Sequence, residues 1–157
     1  MDADLPLCLE VSHTLAIKVF HSATSTYYAP SDLCGTGGMH CEWIQAKPHW
    51  KGQAKYDCVY VGQDVDTIGF SGLLMACITM FFSFSFQKPH LCTLLEWFSM
   101  FGNAPCKDTS MWRVVPDYDG NGKHMTSDIH IDSILRAAHI IKVSGPQPGT
   151  YKPYLQW

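Results

Sequence analysis

The chain has 157 residues, 46% of them apolar and only 16% charged, with a formal net charge of −3 when its 8 histidines are neutral. That balance argues against intrinsic disorder, which needs few apolar side chains, and against a strongly basic nucleic-acid binder. The length suits one domain, while the low charge leaves little to keep the surface soluble, so partner dependence or self-association is expected.

From Val11 to Tyr28, β-branched and aromatic residues predict one or two strands through Ile17, Val19 and Phe20, ended by Pro30. SDLCGTGG, Ser31 to Gly38, reads as a turn-rich connector, and MHCEWIQAK, Met39 to Lys47, predicts a short helix that stops before Pro48. Lys55 to Val61 alternates as a strand, with Asp57, Val59 and Val61 on one face and Tyr56, Cys58 and Tyr60 on the other. Thr67 to Phe86 is twenty residues without a charge. Its Gly, Ser and Thr content and the apolar even positions from Leu74 to Phe86 favour a bent strand over a membrane-spanning helix.

Gln87 to His90 predicts a hairpin turn, Leu91 to Phe98 the returning strand, and SMWRVVP a continuation of the sheet. DYDGNGK, Asp117 to Lys123, carries both DG and NG, strong hairpin signals. HIDSILRAAHIIKV, from His130, combines a short strand, a helical turn capped by Asp132 or Ser133, and a final strand. The expected fold is mainly β (α+β), a small curved antiparallel sheet or partly open barrel with short helical insertions and an irregular N-terminal arm. Residues 1–145 form one β-rich domain, with an arm and short helix over 1–54 and the sheet core over 55–145. Proline-rich residues 146–157 read as a weakly structured tail.

YYAPSDLCGTGGMHCE (Tyr27 to Glu42), YDCVYV (Tyr56 to Val61), FFSFSF (Phe81 to Phe86), LCTLLEWF (Leu91 to Phe98), TSMWRVVPD (Thr109 to Asp117) and HIDSILRAAHIIKVSG (His130 to Gly145) together cover much of the chain. They resemble the region near the carboxyl end of Plavaka-type transposases, the large fungal proteins of DNA transposons. The resemblance implies a transposase-derived accessory domain. The family's DNA-cutting acidic residues are expected upstream of this region, so the resemblance implies no catalytic residue here. At Ser110 the chain departs from the family, which usually has glycine.

Seven cysteines, at positions 8, 34, 41, 58, 77, 92 and 106, include no CxxC pair and fit neither a disulfide framework nor a zinc ribbon, so reduced, mostly buried thiols are expected. MDADLPLCLE carries Asp2, Asp4 and Glu10 where a secretory signal would carry positive charge and an apolar run, which points to an intracellular or nuclear location. Asp117 to Asp128 fits the ligand spacing of an EF-hand loop, but strand-like VVP and IHI flank it where helices are needed, so an exposed hairpin is expected. GTGGMH lacks the Lys-Ser/Thr of a phosphate loop and reads as a tight turn. Cys34, His40, Cys41 and His49 lack paired zinc spacing. No metal or cofactor is expected.

One cluster combines aromatic and basic residues: Trp43, Lys47, Trp50, Lys51 and Lys55, with no acidic residue between Trp43 and Lys55. Lysines there neutralise phosphates while indoles stack on bases, the combination used by single-strand binders. The competing expectation, favoured by the acidic total charge, is that both tryptophans pack inward and the lysines solvate that face. The reading that follows is a non-catalytic accessory or interaction domain contacting DNA, or a transposase or other protein, through this cluster, with no membrane partner. Two alternatives stand beside it: a structural module that self-associates through exposed apolar positions from Leu74 to Phe86, and a small metal-assisted enzyme using His130, Asp132 and His139.

Overall fold

The computed structural model describes residues 16–29, 37–62, 73–143 and 152–156. Every strand pairing in it is antiparallel. The strands are β1 (Lys18–Phe20), β2 (Ser22–Tyr28), β3 (Met39–Trp50), β4 (Gln53–Tyr56), β5 (Cys58–Gly62), β6 (Leu73–Phe86), β7 (Lys88–Met100), β8 (Trp112–Pro116), β9 (Thr126–His130), β10 (Ile134–Val143) and β11 (Lys152–Gln156). β2, β3 and β4 form a small sheet, and the other eight form a large one in the order β1-β6-β5-β10-β11-β8-β7-β9, in which β6 also pairs with β7.

The large sheet therefore curves back on itself, from β6 through β5, β10, β11 and β8 to β7. Its wall is thinnest where β11 meets β8 through two residue pairs, Tyr154 with Arg113 and Leu155 with Trp112. This is the expected curved antiparallel architecture, a partly open barrel rather than a sealed one. Residues 152–156, which composition marks as tail, supply the strand between β10 and β8.

β6 and β7 make the long hairpin at the centre, turning at Gln87 with φ of 59°. The expected bend in β6 lies where the register shifts between Ile78 and Met80. Thr79 is the extra residue of this bulge, and its hydroxyl donates to the Leu94 carbonyl at 3.0 Å. The bulge also changes which side chains share a face. Ile78 and Phe81 enter the same core cluster, so the apolar even positions do not form one continuous face.

Two cores lie on opposite faces of β5 and β6. Between the two sheets, Ile44 and Ala46 of β3 pack with Val59, Ala76, Ile78 and Leu95. On the other face, Tyr60, Met75, Val114 and Ala138 pack inside the curve of the large sheet. Cys58 to Val61 is consequently buried throughout, although its sequence alternation alone does not announce two covered faces.

Three expectations are corrected. Met39 to Lys47 is strand, not helix, because Ile44 and Ala46 find a second sheet to bury against, and that packing overrides local propensity. The 3-10 turn Ile131–Ser133 is capped by His130, not by Asp132 or Ser133: the Asp132 N–H donates to His130 Nδ1 at 3.3 Å. The thiols are not all reduced, since Cys58 and Cys77 form a disulfide. They sit directly opposite across β5 and β6, a proximity set by register that spacing along the chain does not reveal. Cys41, Cys92 and Cys106 are free, Cys41 being exposed; Cys8 and Cys34 lie outside the described residues.

Candidate nucleic-acid interface

β3 organises the small sheet. Its even positions Ile44 and Ala46 face the core, with 1% and 3% exposure, so alternation turns Met39, Cys41, Trp43 and Lys47 outward. Trp43 is 68% exposed, opposite Thr24 of β2. The expectation that both tryptophans pack inward is therefore corrected: the inward positions are already filled by Ile44 and Ala46.

Trp50, three residues after Lys47, would face inward on an unbroken strand. The register shift between Lys47 and Trp50 places two residues, Pro48 and His49, against the single Ala54 of β4. This bulge returns Trp50 to the outward face, opposite Gln53. Pro48, which lacks an N–H to give a ladder, falls inside the bulge where that loss matters least. Lys51, at φ of 48°, and Gly52, at 86°, form the two-residue turn into β4, the left-handed pair that such a tight hairpin requires.

β4 then brings Lys55 back directly opposite Lys47. Lys51 Nζ and Lys55 Nζ lie 4.8 Å and 5.2 Å from the centre of the Trp50 ring, within cation–π range. The structure thus gathers Lys47, Trp50, Lys51 and Lys55 at one end of the sheet, with Trp43 on the same face further along β3.

The nearby carboxylates are directed elsewhere. Asp57 accepts a 2.8 Å hydrogen bond from the Gln45 N–H and donates its own N–H to the Gln45 carbonyl at 2.9 Å, so its main role is to join β4 to β3. It also lies 3.9 Å from Lys55, a part-exposed pair of small energetic weight. Glu42, on an even position of β3, accepts a hydrogen bond from the Ala137 N–H of β10. Together with the bond from the Ser25 hydroxyl to the Leu135 carbonyl, at 2.9 Å, this anchors the small sheet to the large one. The outward positions of β3 and β4 and their turn accordingly carry only positive formal charge, from Lys47, Lys51 and Lys55.

The other candidates are placed differently. His130 Nδ1 and Asp132 Oδ2 are 3.3 Å apart on the surface. His139 is exposed on β10, separated from β9 in the ladder by β7, β6 and β5, so the three residues do not share a strand neighbourhood. In the 117–128 loop, Asp119 Oδ1 accepts the N–H groups of Asn121 and Lys123, both at 2.9 Å, and Tyr118 bridges His124, which makes the segment a hairpin. His40 and Cys41 point to opposite faces of β3, and no group of three or more metal-ligating side chains occurs among the described residues. Of the large apolar residues on β6, only Phe86 is exposed among the described residues, which narrows the contact face expected there. No helix among the described residues is long and apolar enough to cross a membrane. Comparison with protein-family models, curated proteins and solved structures finds no match.

Tyr28 joins this face without being announced by the sequence. It pairs with Met39 on the outward face, is 68% exposed, and adds a third aromatic ring to the row. The signal was present in the alternation Ser22, Thr24, Thr26, Tyr28, but it gained meaning only once β3 was a strand beside it.

Proposed function

We propose that this chain is a non-catalytic interaction module, an accessory domain of transposase origin, that binds single-stranded nucleic acid on the outward face of its small sheet. The observation that carries the reading is the exposure of Trp43 on the same face as Lys47 and Lys55. An indole left in water gains from stacking on an unpaired base, and the lysines beside it supply phosphate neutralisation. Bases inside a duplex are already stacked on one another and offer the indoles no face. The net charge of −3 does not oppose this, because among the described residues Asp57 and Glu42, the carboxylates beside β3 and β4, are engaged with backbone N–H groups.

Fluorescence anisotropy with a labelled oligothymidylate of twelve residues tests the reading. Binding that is lost when Lys47, Lys51 and Lys55 are all replaced by alanine supports it. Retention of full affinity in that triple variant, or no binding by the wild-type chain at low salt, removes it.

A further inference from the structure

Among the described residues the outward face holds three aromatic rings rather than two, and their spacing is set by strand geometry. Tyr28 stands opposite Met39, four residues before Trp43 on β3. At roughly 3.3 Å per residue that step spans about 13 Å, and the seven residues from Trp43 to Trp50, shortened by the bulge, span about 20 Å. Such gaps are too wide for neighbouring bases, so each ring receives a base separated from the next by nucleotides that only cross the sheet. The Tyr28 ring lies against Gly38. A Cβ on Gly38 would come within 2.8 Å of its Cε2, and Gly38, at φ of 78°, is in the left-handed conformation that glycine adopts without cost.

We infer that the strand runs along β3 from Tyr28 to Trp50 and that the site takes an unpaired tract of about six nucleotides, within the roughly 4–16 found for single-strand binding folds. This rests on the proposed nucleic-acid reading and adds to it a path, a length and a third contact. Tyr28 and Trp43 engage one half of the tract. Trp50 engages the other, where Lys47, Lys51 and Lys55 meet the phosphates. The exposed Thr24 and Thr26, opposite Trp43 and Cys41, line the strand's other side with hydroxyls.

The test is a length series of oligothymidylates of three, six and twelve residues, measured by anisotropy against the wild-type chain and its Tyr28→Ala, Tyr28→Phe and Trp43→Ala variants. The six-residue strand is expected to bind at least tenfold more tightly than the three-residue one, with little further gain at twelve. Tyr28→Ala is expected to weaken binding of the longest strand about fivefold or more, the loss of one stacked base, while Tyr28→Phe, which keeps the ring, matches the wild type. Equal affinity for three and twelve residues, or loss in Trp43→Ala with none in Tyr28→Ala, overturns the three-ring path and leaves the nucleic-acid reading standing. Absence of binding to any strand overturns both.

Discussion

Lys47 and Lys55 stand directly opposite one another across β3 and β4. Like charges in that position repel, so the pair costs the free protein stability, on the order of 0.2–1 kcal/mol. Trp50 and Asp57 soften the repulsion around Lys55 but do not remove the lysine facing it. A locally unfavourable pair is explained when a polyanion occupies the face. Lys47→Glu should therefore raise the thermal midpoint slightly, by creating an opposite-charge pair, and at the same time abolish oligonucleotide binding. Calorimetry and anisotropy on one preparation would show the two effects moving in opposite directions.

Ser110 has a φ of 55° in the loop before β8, a region where a side chain is strained and glycine is not. Ser110→Gly should stabilise the fold by about 0.5–1 kcal/mol, net of the greater freedom glycine has when unfolded. Urea denaturation followed by tryptophan fluorescence measures this as a higher midpoint with unchanged slope.

The disulfide between Cys58 and Cys77 closes a loop with a sequence separation of 19. By chain entropy alone a cross-link of that length contributes roughly 3 kcal/mol. Replacing both cysteines with alanine should lower stability by about that amount, and a reducing agent should lower the midpoint of the wild type but not of the double variant.

Two free thiols should react at different rates. Cys106 is held below the ordinary thiol range chiefly by the backbone N–H of Asp108, helped by Thr109 and the Arg113 side chain, which favour the thiolate. Burial, with the Asp128 carboxylate, pushes Cys92 up. The thiolate is the reactive form. Alkylation by iodoacetamide near neutral pH should therefore label Cys106 well before Cys92, and the Cys106 rate should level off at a lower pH; peptide mass spectrometry after timed quenching separates the two.

Much of the fold was legible in the sequence, for identifiable reasons. The DG and NG signals marked the Asp117–Lys123 hairpin, and the length and dilution of the 67–86 stretch called for a bent strand, seen from Leu73 onward. What escaped depends on long-range pairing. The helix expected over Met39 to Lys47 has local support, but only a neighbouring sheet rewards burying Ile44 and Ala46 in alternation. The bulges at Thr79 and at Pro48–His49 each shift side-chain phase by one residue, which is why Phe81 joins the core and Trp50 does not. The cluster Trp43, Lys47, Trp50, Lys51 and Lys55 was found by composition. Its shared face, and the addition of Tyr28, come from register.

Contact between phosphates and this face is tested most directly by salt. Three lysine contacts imply a slope near −2 when the logarithm of affinity for a single strand is plotted against the logarithm of salt concentration, a roughly twentyfold loss between about 50 and 200 mM. That slope is expected when binding is measured by anisotropy with a twelve-residue oligothymidylate. Binding that does not respond to salt, or none at 50 mM, would contradict it.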